Sequence, residues 1–266
     1  MVETPVKLGT LTTALAAELH EAFRAGRTIE PLRLRHPTLT IDDAYAISLD
    51  FLGARLSAGE RVVGKKIGVT SKAVQDMLGV HQPDFGFLTD KMWVDEEIEI
   101  AAHRLIQPRA EAEIAFFLKE DLNGPGVTPA QVLAATESIA PCFEIVDSRI
   151  RDWNIGIVDT VSDNASCGVF AIGAARADPR DLDLASLHVT VTKNGAPLSE
   201  GYGSAVQGSP LNAVAWLANT LGAYGVTLNA GDVILSGSLV PLAPAAAGDA
   251  FEMTLHGVGC CSVRFV

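Results

Sequence analysis

Two glutamates stand one residue apart in a run of the sequence that otherwise reads as a buried strand. The run is "RAEAEIAF", and it places Glu111 and Glu113 close to Arg109. In a strand, side chains at i and i+2 project to the same face, so we expect both carboxylates to point together. Like charges held close resist ionising together unless a cation lies between them. The spacing alone fits either a solvated strand face or two ligands of a metal ion.

A third carboxylate occurs in a second apolar run, "CFEIVDS", where Glu144 is an acid among strand-forming residues. Buried acids are costly unless they are paired or bound to metal. Hard divalent cations such as Mg²⁺ or Mn²⁺ prefer oxygen ligands and keep positions open for water or substrate. Glu144 is therefore the best candidate for a third ligand. Asp147 lies three residues later, so we expect it to face elsewhere and to cap or turn the chain.

Two further stretches carry groups that could act on a bound substrate. In "GKKIG", Lys65 and Lys66 face opposite sides of a short strand, so one of them should point inward, where it could hold a carboxylate or donate a proton. The alternative is that both reach solvent. In "HQPDFGFL", Asp84 lies in a loop shaped by Pro83 and Gly86, where an aspartate is more often a structural cap than a catalyst.

The composition limits the class of partner. Of the 266 residues, 48% are hydrophobic and 20% charged, which is typical of a globular protein. The net charge of -12 argues against nucleic-acid and anionic-membrane partners, because both would be repelled. The four cysteines form no C-x-x-C pair, which favours small core residues in a reducing compartment. With no signal peptide and no apolar run long enough to span a membrane, we expect a soluble cytoplasmic protein.

The elements that would position these groups fall into two parts. Apolar residues recur at helical spacing over residues 8–25, with Gly26 as a stop, and Thr40 caps a second helix that Gly59 ends. We therefore predict a helical N-terminal subdomain at 1–60 and a β-rich catalytic domain at 61–266, together an α+β fold. The second part should contain strands at 61–69, 112–118, 141–148 and 231–266, helices at 71–79, 128–139 and 209–225, and a hairpin turning at Asn194-Gly195.

Five segments, in order along nearly the full chain, carry a resemblance to a known family: "GERVVGKKIGVTSKAVQDMLGVHQPDFGFLTD", "LIQPRAEAEIAF", "PCFEIVDSRIRDW", "DTVSDNASCG" and "AGDVILSGSLVPL". Together they look strongly like the 2-keto-4-pentenoate (2-hydroxypenta-2,4-dienoate) hydratases of bacterial meta-cleavage pathways, which belong to the fumarylacetoacetate hydrolase superfamily. The resemblance implies a mixed β-roll fold, a Mg²⁺ or Mn²⁺ cofactor, a homo-oligomer and a possible complex with the pathway's 4-oxalocrotonate decarboxylase.

The resemblance also assigns the groups singled out above. It implies that the metal ligands are Glu111, Glu113 and Glu144. The family's strand lysine falls on Lys66, which makes Lys66 the inward one of the pair, and the family's loop acid falls on Asp84.

The family's substrate loop corresponds to Ser236, Gly237 and Ser238, whose hydroxyl and backbone N–H groups would bind the substrate carboxylate. Arg109 stands where similar proteins have Arg or Lys, and it would supply further positive charge near the substrate.

The implied reaction adds water to a 2-hydroxydienoate. A divalent ion would stabilise the enolate, protonation at C5 would give a 2-oxo-3-enoate, and water would add at C4 to yield a 4-hydroxy-2-oxoacid. Lys66 would orient the substrate carboxylate, and Asp84 would act as proton shuttle or water base. Two alternatives stay open at this point. One is a 4-oxalocrotonate decarboxylase, in which an apolar residue tends to stand at the position of Asp84, and the other is a non-catalytic partner subunit.

Overall fold

The structure, a computed structural model, describes residues 8–266 apart from 73–74, 77–79 and 96–98. In this part of the chain the α-helices are α1 (Leu8–Ala25), α2 (Leu32–Arg35), α3 (Ile41–Ser57), α4 (Pro129–Ala135), α5 (Ile157–Ser162) and α6 (Pro210–Ala223). The strands are β1 (Val62–Gly68), β2 (Asp84–Thr89), β3 (Trp93–Val94), β4 (Arg109–Leu118), β5 (Thr136–Val146), β6 (Cys167–Ile172), β7 (His188–Lys193), β8 (Ala196–Tyr202), β9 (Val233–Leu235), β10 (Ala243–Pro244), β11 (Ala250–Leu255) and β12 (Gly259–Arg264).

The two predicted N-terminal helices, α1 and α3, are confirmed, and the short helix α2 between them was not predicted. Gly26, just after α1, has a φ of 61°, which suits a glycine stop. Thr40 and Asp43 form a reciprocal capping box at the start of α3. Buried apolar residues of these helices, such as Leu19 and Phe51, share one cluster with Ile150. The boundary between residues 60 and 61 as a domain division stays a prediction.

The β-rich part consists of two sheets. The larger has the strand order β2-β1-β9-β4-β5-β6-β3, with β10 pairing β4, and the smaller has the order β12-β11-β7-β8. The larger sheet is mixed, because β1 pairs β9 in parallel while β4 pairs β5 antiparallel. The sheets pack together through aromatic rings, with the centroids of Phe143 in β5 and Phe251 in β11 lying 6.3 Å apart. The predicted α+β fold with a mixed β-roll is confirmed.

Two local predictions were wrong in their boundaries. The helix expected over 128–139 ends at Ala135, because the following residues pair with the end of β4, where Thr136 lies opposite Leu118. The helix expected over 209–225 is α6, which begins at Pro210 and ends at Ala223. A Cβ on Gly222 would lie 2.4 Å from the backbone of Gly124, so this glycine permits a close backbone contact.

Other local predictions have a plainer outcome. The hairpin turn between β7 and β8 is confirmed, with φ of 54° at Asn194 and 77° at Gly195. The helix predicted over 71–79 lies partly outside the described residues. Within the described chain, no helix is both long and apolar enough to cross a membrane.

Candidate active site

Neighbouring strands bring the three predicted glutamates together. Glu111 of β4 lies directly opposite Glu144 of β5 in the antiparallel ladder, and Glu113 follows two residues along the same face. One carboxylate oxygen from each of the three lies within 4.8 Å of the others. Glu113 and Glu144 are fully buried, whereas Glu111 is partly exposed. The face that carries them is therefore a buried acidic centre and not a solvated strand surface.

Lys66 reaches this centre because the sheet curls. The Nζ atom of Lys66 lies 3.1 Å from Oε1 of Glu144, although β1 and β5 are three strand positions apart in the sheet. In a flat sheet, three strand spacings would separate the two backbones by roughly 14 Å, which is farther than the contact allows. The curl thus brings Lys66 of β1 face to face with the glutamates of β4 and β5.

Both lysines of "GKKIG" are buried, on opposite faces of β1. Lys65 forms an ion pair with Asp232 and donates to the carbonyl oxygen of Thr227 at 3.3 Å. The expectation that one lysine points into the site is met by Lys66, but its neighbour pairs with a carboxylate on the other face instead of reaching solvent. Lys65 therefore has a structural partner, and Lys66 faces the acidic centre.

Asp84 begins strand β2 and is not the loop residue that we expected. It lies opposite Gly68 in the β1–β2 ladder, and Lys66 lies opposite Gly86, so Asp84 and Lys66 share a face. A Cβ on Gly68 would lie 2.2 Å from Oδ1 of Asp84, so the glycine makes room for this carboxylate. Asp84 is 1% exposed, which rules out a solvated structural cap.

The predicted substrate loop contacts the site through its backbone. The amide of Gly237 donates to Oε2 of Glu113 at 2.8 Å. Gly237 has a φ of 100°, and a Cβ there would lie 2.5 Å from the side chain of Thr70, so only glycine fits easily. The hydroxyl of Ser238 donates to the carbonyl of Val240 at 2.7 Å. Ser236 is buried, and its hydroxyl lies 3.5 Å from the carbonyl oxygen of Gly237.

Arg109 is the first residue of β4. Its guanidinium carbon is 4.5 Å from the centroid of the Trp153 ring. That contact is a cation–π interaction, and Trp153 is itself held by a hydrogen bond to the carbonyl of Gln107 at 2.9 Å. Among the described residues, Arg109 forms no ion pair with the glutamates, so any influence on them acts over distance.

Burial and mutual repulsion make the acids hard to ionise. Burial and the charge of Glu144 raise the pKa of Glu111 to about 7, although Lys66 opposes this. Burial is the main reason that the pKa of Glu113 is raised well above its ordinary value, and the charges of Glu144 and Glu111 add to this effect. Burial also raises the pKa of Asp84, against the attraction of Lys66. For Lys66, burial alone would lower the pKa, but the charges of Glu144 and Asp84 outweigh it and raise the pKa.

Several buried oxygens of this centre lack a hydrogen-bond donor. They are Oδ1 of Asp84, Oε1 of Glu113 and both carboxylate oxygens of Glu144, although Nζ of Lys66 lies 3.1 Å from Oε1 of Glu144 as an ion-pair partner. Buried polar atoms in native proteins are almost always satisfied, so unpaired oxygens indicate a missing partner. Three carboxylates with free lone pairs are the donor set that Mg²⁺ or Mn²⁺ prefers, and these residues therefore fit such an ion.

Some residues around the site were not singled out from the sequence. Thr160 lies with its hydroxyl 3.4 Å from Oδ2 of Asp84. Asn164 clamps β2 by accepting from the amide of Phe87 at 2.8 Å and donating to its carbonyl at 2.9 Å. The sequence signal was the segment "DTVSDNASCG", in which four residues have hydroxyl or amide side chains, and the structure buries all of it. Of the four free cysteines, Cys260 is exposed, so the core interpretation holds only for the other three.

Comparisons with known proteins agree with this geometry. Residues 65–266 match the family model described as "Fumarylacetoacetate (FAA) hydrolase C-terminal". The chain is 64% identical over 249 residues to a 2-hydroxyhexa-2,4-dienoate hydratase of Comamonas testosteroni, covering 93% of this chain and 94% of that one. It is 59% identical over 218 residues to a 2-hydroxypent-2,4-dienoate hydratase of Pseudomonas putida, covering 82% and 98%. Among solved structures, it resembles the 4-oxalocrotonate decarboxylase of Pseudomonas putida G7 complexed with magnesium and adipate, with a TM-score of 0.94, 34% identity and coverage of 96% and 97%.

Proposed function

The chain belongs to the fumarylacetoacetate hydrolase family, and on that premise we propose that it is a hydro-lyase acting in the meta-cleavage degradation of aromatic compounds. It adds water to 2-hydroxypenta-2,4-dienoate, also written 2-oxopent-4-enoate, to give 4-hydroxy-2-oxopentanoate. The observation that carries the proposal is identity of 59% and 64% to two dienoate hydratases over most of the chain. The buried acidic centre supplies chemistry that suits this reaction.

We propose that Glu111, Glu113 and Glu144 hold a Mg²⁺ or Mn²⁺ ion. When bound, the ion would supply positive charge next to the C2 oxygen of the substrate, where negative charge develops during the reaction. The unpaired buried oxygens of Glu113 and Glu144 support this proposal. Gly237 supports it as well, because its amide fixes one oxygen of Glu113 and leaves the other free.

Lys66 binds and orients the substrate carboxylate. Its ammonium group is buried, and the surrounding carboxylates raise its pKa, so it stays charged and can pair with an incoming anion. An anionic substrate entering this pocket therefore meets a fixed cation despite the net negative charge of the protein.

Asp84 moves protons. Because burial raises its pKa, the carboxyl group can hold a proton and release it within the pocket. The substrate loses the proton of its 2-hydroxyl group and gains one at C5, and water then adds its hydroxyl at C4 and a proton at C3. Asp84 is the group placed to deliver the proton to C5 or to accept one from the attacking water, while Lys66 keeps the substrate carboxylate in place.

A second substrate has its own support. The relative with 64% identity carries the name of a 2-hydroxyhexa-2,4-dienoate hydratase, so the homologue with one more carbon is the second candidate. The decarboxylase alternative draws on the 34% identical 4-oxalocrotonate decarboxylase of the same shape, which shares less sequence with this chain than the hydratases do.

We also propose that the protein assembles as a homo-oligomer and can associate with the decarboxylase of its pathway. Strand β8 is an edge strand of the smaller sheet, and its Leu198 and Tyr202 are 41% and 52% exposed. Such a strand offers both apolar side chains and unpaired backbone groups to a partner. Light scattering coupled to size-exclusion chromatography measures the oligomer, and a single-chain mass would contradict it.

Turnover of 2-hydroxypenta-2,4-dienoate tests the function directly. The loss of its ultraviolet absorbance is followed with the protein treated with EDTA and then resupplied with Mg²⁺ or Mn²⁺. We expect turnover only with metal. We expect 2-hydroxypenta-2,4-dienoate and 2-hydroxyhexa-2,4-dienoate to react at different rates, and we expect little decarboxylation of 4-oxalocrotonate in a parallel assay. An absence of dienoate turnover with either metal would contradict the hydratase function, and faster decarboxylation would favour the alternative.

A further inference from the structure

Thr160 stands beside the carboxyl group proposed to move protons. It is buried on α5, with its Oγ1 atom 3.4 Å from Oδ2 of Asp84 and 3.3 Å from the hydroxyl of Ser166. A threonine hydroxyl has one proton, so when it donates to Asp84 it accepts from Ser166. Among the residues that the structure describes, Thr160 is the only side chain that donates a hydrogen bond to Asp84.

The two oxygens of Asp84 consequently differ. Oδ2 faces Thr160, whereas Oδ1 is buried without a hydrogen-bond partner. A point above Gly68, where a Cβ would stand, lies 2.2 Å from Oδ1 of Asp84 and 3.5 Å from Nζ of Lys66. The free oxygen therefore faces the side of the pocket on which Lys66 lies. A hydrogen bond to the other oxygen fixes the carboxyl group in that orientation.

The helix that carries Thr160 is tied to the N-terminal segment. Asp159, which precedes Thr160, is fully buried, and its Oδ2 accepts from Nη1 of Arg33 at 2.6 Å and from the amide of Gly156 at 2.8 Å. Its Oδ1 accepts from the amide of Arg33 at 3.1 Å. Arg33 also donates to the side-chain oxygen of Asn154 at 2.7 Å. These contacts fix the start of α5, and Arg33 lies outside the residues 65–266 that match the family model.

We propose that Thr160 is a positioning residue for Asp84, and that Arg33 of the N-terminal segment holds Thr160 in place through Asp159. The inference rests on the proposed hydratase function and deepens it. Without the Thr160 hydroxyl, Asp84 rotates among other orientations and transfers protons less often, so kcat falls. The substrate is bound by other groups, so KM changes little. The N-terminal helices therefore contribute to catalysis as well as to packing.

Replacement of the hydroxyl tests the first half of the proposal. Thr160→Val removes the donor and keeps the shape, and Thr160→Ser keeps the donor. With Mg²⁺ and 2-hydroxypenta-2,4-dienoate, we expect Thr160→Val to lower kcat by about tenfold to a hundredfold with KM within about threefold of wild type, and Thr160→Ser to stay within about threefold in kcat. Wild-type kcat in Thr160→Val, or equal losses in the Val and Ser variants, would overturn it.

A pair of arginine variants tests the second half. Arg33→Met breaks the contact with Asp159, and Arg151→Met breaks an exposed ion pair with Glu30, which also joins the N-terminal segment to the rest of the chain. We expect kcat to fall about tenfold in Arg33→Met, because small displacements of reacting groups are costly, and to stay within twofold of wild type in Arg151→Met. Unchanged kcat in Arg33→Met, or an equal loss in both variants, would overturn this half.

Two controls keep the outcomes distinct. Thermal melting establishes that each variant is folded at the assay temperature, and Thr160→Ala or Arg33→Gln takes the place of a variant that is not. An inactive wild-type enzyme contradicts the proposed function itself. An active wild-type enzyme whose Thr160→Val variant is equally active contradicts only the inference.

Discussion

Two buried ionic clusters of this protein differ in how their charges are matched. In the first, the Nε of Arg149 donates to Oδ1 of Asp163 at 2.5 Å, and the amide of Arg149 donates to Oδ2 at 2.8 Å. Both oxygens of Asp163 are therefore satisfied. In the second, the three glutamates and Asp84 face Lys66, and several of their oxygens have no donor.

The difference separates a cluster that the protein satisfies by itself from the proposed metal site. Arg149 also donates to the backbone carbonyls of Cys167 at 3.0 Å and Asp163 at 2.7 Å, so its guanidinium is nearly saturated by the protein itself. Such a cluster is complete. The acidic centre brings four carboxyl groups to the one ammonium group of Lys66 among the described side chains, and the proposed metal ion would supply the positive charge that balances them.

The largest expected effect on stability is at the cluster of Arg149 and Asp163. Replacing Arg149 with Met leaves the carboxylate of Asp163 buried without its partner, and we expect the free energy of unfolding to fall by about 3–5 kcal/mol. Urea unfolding measures it, and Arg151→Met, which breaks an exposed pair, should change it by less than about 1 kcal/mol. A loss below about 1 kcal/mol in Arg149→Met would remove the distinction between the two clusters.

The two adjacent lysines of β1 face different partners. Lys65 pairs with Asp232, whereas Lys66 faces the acidic centre. In the Mg²⁺-saturated protein, we expect Lys66→Met to lower kcat/KM by about a hundredfold to ten-thousandfold with little loss of stability. Lys65→Met should keep kcat/KM within about threefold, and it should lose about 3 kcal/mol of stability, because it leaves Asp232 unpaired. Kinetics and urea unfolding on both variants give the result, and equal effects on activity would contradict the assignment of Lys66.

The smallest expected effect is the coupling between proton binding and folding at the acidic centre. The pKa of Glu111 is raised to about 7 in the folded, metal-free protein, whereas the unfolded group titrates near 4.5. Between pH 4.5 and about 7, the folded state therefore binds a proton that the unfolded state has released. This proton adds to the free energy of unfolding at low pH, and its contribution is lost as the pH rises through about 7.

A metal ion must displace that proton. We expect the affinity for Mn²⁺, measured by calorimetry, to rise by at least about tenfold per pH unit between pH 5 and 7, because Glu111 and Glu113 both have raised pKa values and must release their protons to bind the ion. The metal-free protein should also be more stable at pH 5 than at pH 7 by this contribution. A Mn²⁺ affinity independent of pH would show that the glutamates are already ionised without metal.

Local patterns were enough to predict the parts of the fold that short-range physics decides. The period of two in β4 placed Glu111 and Glu113 on one face, and Glu144 stood out as an acid in an apolar strand. The helix cap at Thr40 and the Asn194-Gly195 turn were predicted for the same reason, because each depends on a few consecutive residues.

The remaining features depend on partners far along the chain. Lys65 is buried because Asp232 lies 167 residues later in sequence but beside it in space. Asp84 belongs to a strand because β1 pairs with its segment, and Lys66 reaches Glu144 because the whole sheet curls. The contact between Thr160 and Asp84 could not be predicted from the sequence either, because the two residues are 76 positions apart in the chain.

Metal binding by Glu111, Glu113 and Glu144 is tested most directly by calorimetric titration with Mn²⁺. The titration is carried out on the wild type, on Glu111→Ala and on the control Glu137→Ala, which replaces an exposed glutamate of β5. We expect one tight ion per chain in the wild type and in Glu137→Ala, and loss of that site in Glu111→Ala with its circular dichroism spectrum unchanged. One tight ion per chain in a folded Glu111→Ala variant would contradict the account.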